Sequence, residues 1–197
     1  MVECYTFNYI GKFYYQIKNM PILHILKDYQ SKYFLTFTVI EWIDIFTCED
    51  YFILLSDCIN FCINNKGLII NGYVFMTNHI HLLADTKSNY NLIDIVRDFK
   101  RHSTREVVKL IISDNRSYIR RLLYKSYKKR GENKLQIWKS NNWPEVVDNS
   151  YVYNLKLNYI HENPVIKGYV DDPSKWKYSS AKEYYTSNSG PIRVTVE

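Results

Sequence analysis

A chain of 197 residues with 46% apolar side chains suits one domain with a sizeable core. Nineteen tyrosines against six glycines exclude a low-complexity or linker-rich chain, and no run of about 18 uncharged apolar residues exists to cross a membrane. The net charge of +6 is unevenly placed: from Arg97 to Lys134, thirteen Lys or Arg stand against four Asp or Glu, a balance of +9 that leaves the rest at −3. Such a block suits a polyanionic partner, although a solvated helix face with flexible lysines has the same composition.

In chain order, residues 1–30 carry aromatic side chains without a clear period and read as an N-terminal extension of unknown role. They lack an ordered positive start, apolar block and small-residue cleavage site, so no signal peptide is expected and the expected location is cytoplasmic. Lys32–Ile40 is β-branched and aromatic with alternating threonines, the pattern of a strand. Glu49–Lys66 has apolar residues at helical spacing and ends at Gly67. Leu68–Met76 and His79–Ala84 read as two strands joined by a tight turn at Thr77-Asn78. Asn91–Ser113 reads as a helix with Leu92, Ile95, Val96 and Phe99 on one side and Arg97, Lys100, Arg101 and Arg105 elsewhere. Tyr118–Lys129 has helical composition, Gly131–Lys134 reads as a loop, and Leu135–Trp138 with Trp143–Val147 suggests a short hairpin. Asp148 or Ser150 is placed to cap a last helix running to about His161, with Pro164 as its stop. Strand, helix, strand, strand, helix predicts an α+β domain: a small antiparallel sheet covered by helices on one face. The expected division is an extension over 1–30, a single domain over 31–185 and a tail over 186–197.

Cys4, Cys48, Cys58 and Cys62 include no Cys-x-x-Cys pair, and disulfides are not expected. Cys58 and Cys62 lie four apart on a helix; two small buried side chains are the expectation, ahead of a metal pair.

The stretch NGYVFMTNHIHLLAD places His79 and His81 one residue apart in a predicted strand. Side chains alternate along a strand, so both imidazoles point to one face and Ile80 to the other. Neutral imidazoles on a rigid support suit a transition-metal ion, while a pair of satisfied strand histidines is the plainer reading. A third ligand must come from elsewhere. In NYIHENP, Tyr159 and Asn163 lie one helical turn apart; an amide oxygen is an acceptable ligand for a hard cation. Glu162 is the competing ligand.

His79-Ile80-His81 together with Tyr159 and Asn163 resembles the single-tyrosine HUH transposases, and looks most like the REP-associated tyrosine transposases. The similarity spans about residues 32–183 and includes YFLTFTVIEWIDIFT, GYVFMTNHIHLL, IVRDFKRHST, the Trp138 segment, NYIHENPVIKGYV and WKYSSA. The resemblance implies a ferredoxin-like, RRM-type palm. It also implies a divalent cofactor, Mg²⁺ or Mn²⁺, held by His79, His81 and Asn163, with Tyr159 as the nucleophile on single-stranded or hairpin DNA. Cleavage and rejoining would pass through a 5′-phosphotyrosine link. Arg97, Lys100, Arg101, Arg105, Arg120, Arg121 and Lys125 are then expected to neutralise phosphates. Trp138 and Trp143 either stack on unpaired bases or pack in the core. Two alternatives stay open: a DNA-binding module without turnover, and a metal-dependent nuclease that uses water. The protein is expected to act as a monomer or a homodimer.

Overall fold

A computed structural model describes residues 31–130, 136–140, 144–186 and 188–196. The expected extension over 1–30, the loop Gly131–Lys134 and Trp143 lie outside the described residues. Strands β1 (Lys32–Thr38), β2 (Leu68–Phe75), β3 (His79–Thr86) and β4 (Glu145–Val147) alternate with helices α1 (Glu49–Lys66), α2 (Leu92–Ser113), α3 (Ser117–Arg130), α4 (Ser150–Ile166) and α5 (Ala181–Thr186). The sheet order is β2-β3-β1-β4, and every neighbouring pair is antiparallel. Strands β1 and β3 therefore occupy the centre, in the split βαββαβ arrangement with α3 inserted before β4. The predicted α+β sheet is what the chain forms.

Strand alternation separates two apolar layers. Tyr33, Leu35 and Phe37 of β1 join Ile80, Leu82 and Ala84 of β3 beneath α1 and α2, with Phe52, Leu55, Ile59, Phe99 and Val107 from those helices. Phe34, Val74 and Leu83 point the other way and meet Leu157 and Ile160 of α4. Helices thus cover both faces, which corrects the expectation of one covered face. The alternating pattern of β1 conceals this, because Phe34 on its second face is as buried as Tyr33 and Leu35 on its first. Helix α4 sits close on β2 at Gly72, where an added Cβ would lie 2.6 Å from Leu157 Cδ1 and make that side chain shift.

Several boundaries differ from the sequence expectation. Asn149, not Asp148 or Ser150, caps α4: its side-chain oxygen accepts from the Val152 amide at 2.9 Å. Pro164 lies inside α4, which runs on to Ile166. A proline one turn from a helix end removes a single backbone donor there, and the chain closes instead through Gly168 at φ 72°. Among the described residues, the Trp138 segment and Glu145–Val147 do not pair with each other as the expected hairpin would. Trp138 bridges Val39 just past the end of β1, and Glu145–Val147 pairs with β1 near its start, so both lie along the same strand. Residues 188–196 pack back on the domain: Ile192 is buried and Thr195 donates to the Ile70 carbonyl. Cys58 and Cys62 are buried on α1, and burial pushes their thiols up to about 12 and about 11.

Candidate active site

The turn Thr77-Asn78 starts β3 so that His79 and His81 fall on the α4 face, both buried. Their ring centroids are 4.9 Å apart. A carboxylate chain orients His79. Asp44 accepts from the Asn78 side-chain amide at 2.8 Å, and Asn78 Oδ1 lies 2.7 Å from His79 Nδ1. An Nδ1 that donates there leaves the lone pair on Nε2. His81 Nδ1 lies 3.0 Å from Thr36 Oγ1 on the neighbouring strand, and its ring stacks on Phe34 at 5.2 Å. With Nδ1 as donor, His81 also keeps its lone pair on Nε2.

Burial holds both rings in the ligating, neutral form. It pulls His79 down to about 4, with Lys167 adding to the effect while the adjacent Asn163 amide and Asp44 oppose it. His81 falls to about 3 through burial, then through His79 and Lys156. Both rings are thereby held uncharged at neutral pH, each with a single N–H.

Helix α4 brings the remaining residues. Asn163 is 5% exposed and its Oδ1 is buried without a hydrogen-bond partner. A buried orphan acceptor costs about 1–3 kcal/mol and asks for an explanation. Glu162, the competing ligand, is exposed on the other side of the helix. No group of three or more His, Cys, Asp or Glu occurs among the described residues, so a cation here would take its oxygen donor from the amide. Two neutral imidazoles and one unsatisfied amide oxygen fit a divalent ion. Tyr159, one turn before Asn163, lays its ring edge-on to His81 at 5.1 Å and to Phe34 at 5.9 Å. It remains 46% exposed, so its hydroxyl can meet a macromolecular substrate.

The expected DNA-binding residues do not converge on this point. Trp138 is corrected to a core residue: it is 3% exposed, packs against Phe46 and Phe99, and donates its indole N–H to Ser103 Oγ at 2.9 Å. Lys100 is turned inward, donates to the Lys139 carbonyl at 3.0 Å and is pushed down to about 8 by burial. Arg97 is paired with Asp94 and Asp98. Arg101 and Arg105 are exposed, but α2 covers the sheet face opposite the histidines. Arg120, Arg121 and Lys125 are exposed on α3, and Lys125 lines a groove between α3 and the turn after β1.

Trp42 was not singled out by the sequence reading. It lies in a 3-10 turn (Ile40–Trp42) right after β1, 54% exposed, with its ring edge-on to His79 at 5.7 Å. Lys139 Nζ stands 4.6 Å from the indole centroid. Glu41 and Trp42 both have positive φ, 51° and 55°. Left-handed backbone costs a non-glycine residue about 1–2 kcal/mol, and here no burial of the indole offsets it. The available signal was an aromatic residue between two carboxylates, Glu41 and Asp44, just past a strand end.

Comparison with known proteins bears on the family and the fold. Residues 27–131, more than half of the chain, match the family described as transposase, IS200-like. No curated protein matches the sequence significantly. Among solved structures, one described as a REP-associated tyrosine transposase bound to a REP hairpin superposes with a TM-score of 0.56 at 17% identity, covering 84% of this chain and 86% of that one. A sheet in the order β2-β3-β1-β4, a buried histidine pair facing a helix-borne tyrosine, and a family match over most of that sheet lead to one conclusion: the chain belongs to the IS200-like transposases.

Proposed function

We propose that this transposase cleaves and rejoins single-stranded, hairpin-bearing DNA through Tyr159, with a divalent ion, Mg²⁺ or Mn²⁺, held by His79, His81 and Asn163. The observation that carries the reading is the juxtaposition of two neutral imidazoles, an orphaned amide oxygen and a half-exposed tyrosine on one face of the sheet. The hairpin partner of the similar solved structure is consistent with it.

When bound, the ion would supply Lewis-acid stabilisation of charge on the scissile phosphate oxygens. The chain does the rest. Asp44, Asn78 and Thr36 fix the histidine rings so that the Nε2 atoms meet the site without reorganisation. Phe34 and His81 clamp the Tyr159 ring, which limits the hydroxyl to an arc beside the phosphate. The Tyr159 oxygen attacks phosphorus, the bond to the 3′ oxygen breaks, and the phenol proton leaves as that oxygen becomes a 3′-hydroxyl. A 5′-phosphotyrosine ester remains. One phosphodiester bond is exchanged for another without loss to water, so a second 3′-hydroxyl can reverse the step and join a new strand. Lys156, packed over Phe34 at 4.5 Å and paired with Glu145, keeps a cation one turn from the tyrosine.

The test is incubation of the protein and Mn²⁺ with an end-labelled hairpin oligonucleotide, followed by a denaturing gel. A slow protein–DNA band that disappears in Tyr159→Phe supports the reading. Cleavage without an adduct, persisting in Tyr159→Phe, assigns the reaction to water instead.

A further inference from the structure

Between the 3-10 turn after β1 and helix α3 lies a groove of about 490 Å³ that the reaction described above does not use. It is lined by Glu41, Trp42, Ile43 and Asp44 from the turn side and by Tyr118, Ile119, Leu122, Lys125 and Ser126 of α3. That volume is typical of a small-ligand site. We propose that this groove is a subsite for one unpaired nucleotide of the DNA strand next to the cleaved phosphate, with its base stacked on Trp42. The proposal rests on the strand-cleavage reading and says where the flanking strand lies.

Four observations carry it. Trp42 belongs to both places, because its ring touches His79 and also lines the groove. A strand leaving the histidine pair in that direction meets the indole first. Next, Trp42 and Tyr118 present large aromatic surface to solvent, 54% and 66% exposed, across a single opening. Stacking is the recognition mode such surfaces provide for any base. The consecutive positive φ angles at Glu41 and Trp42 hold the indole outward at a cost to the fold, and strained backbone of this kind collects at ligand clamps. Finally, the charges are sorted. Lys139 over the indole and Lys125 on the α3 side suit the phosphates that flank a nucleotide. The Glu41 carboxylate accepts only, so it repels phosphate and suits a base edge carrying an exocyclic amino group. Asp44 is already engaged by Thr77 and Asn78. The nucleotide is therefore oriented base toward Glu41 and backbone toward the two lysines, which favours adenine, cytosine or guanine over thymine.

The experiment uses the full chain with Tyr159→Phe as background, so that binding is read without cleavage. Fluorescence anisotropy compares a labelled hairpin carrying short single-stranded flanks with the same stem lacking flanks. Trp42→Ala is expected to weaken the flanked hairpin about tenfold or more and to leave the blunt stem unchanged. Trp42→Phe, which keeps a ring, should stay within about threefold of the parent. Tyr118→Ala, on an exposed helix surface where folding is not at issue, should weaken the flanked hairpin in the same direction. One abasic position in the flank should reproduce the Trp42→Ala loss, and the two together should lose no more than either alone. The subsite is overturned if Trp42→Ala and Tyr118→Ala bind the flanked hairpin as the parent does, if they weaken both DNAs equally, or if the abasic and Trp42 losses add. A parent protein that binds neither DNA overturns the strand-cleavage reading itself, and this proposal with it.

Discussion

The orphaned oxygen of Asn163 leads to a prediction in which stability and function move in opposite directions. Asn163→Leu keeps four side-chain heavy atoms branched at the same position but replaces the amide with methyl groups. In the metal-free protein the substitution removes a buried acceptor without a partner, worth about 1–3 kcal/mol. It also removes the amide beside His79, worth about 1 kcal/mol. The net is a gain of about 1 kcal/mol, a rise in Tm of about 2–4 °C for a domain of this size. Adding Mn²⁺ reverses the order. At about 100 times its Kd, a ligand stabilises the native state by about 2.7 kcal/mol, roughly 5–11 °C here. Wild type should gain this and Asn163→Leu should not. Thermal melts of both proteins in EDTA and across a Mn²⁺ titration give all four values. A variant that is less stable in EDTA and still rises with Mn²⁺ would refute the assignment of this oxygen as a ligand.

Tyr159→Phe keeps the ring on Phe34 and His81, so its melting temperature should stay within a few degrees of wild type while the covalent adduct falls to background on the gel. Lys125→Glu should lower DNA affinity and reduce the slope of log K against log salt by about one, whereas Arg101→Glu on the opposite layer should change the slope less; equal effects would place the DNA path over α2. His161 is buried beside Ser180, Tyr184 and Tyr185, and burial pulls it down to about 4. Its neutral form therefore stabilises the fold above pH 6.5, and that contribution is lost as pH falls from about 6.5 toward about 4. In EDTA, His161→Gln should flatten the stability–pH slope over that window by up to about 1.4 kcal/mol per pH unit in denaturant titrations, and an unchanged slope would show that His161 does not titrate in this way. Iodoacetamide should label exposed Cys48 in the native protein but spare Cys58 and Cys62, whose thiols burial keeps protonated; mass spectrometry of the alkylated peptides checks this.

The sequence by itself determined the elements whose signal is local. Alternation in Lys32–Ile40, helical spacing closed by Gly67 and the His79-x-His81 period each reflect forces acting within a few residues, so strand, helix and a shared histidine face were legible. The spacing of Tyr159 and Asn163 was legible for the same reason. Pro164 misled because its effect depends on position within the helix, and one turn from the end the missing donor is tolerated. What only the tertiary structure decided is what depends on burial and on distant partners. Trp138 and Trp42 are the same residue type, yet one is buried against Ser103 and the other is held out beside His79. Glu162 and Asn163 are adjacent, and only the docking of α4 on Gly72 and the sheet turns the amide inward and the carboxylate to solvent. The basic block, one stretch in the sequence, is divided by the fold between a layer behind the sheet and the rim of the groove. Composition counts charges along the chain, whereas a substrate meets them in space.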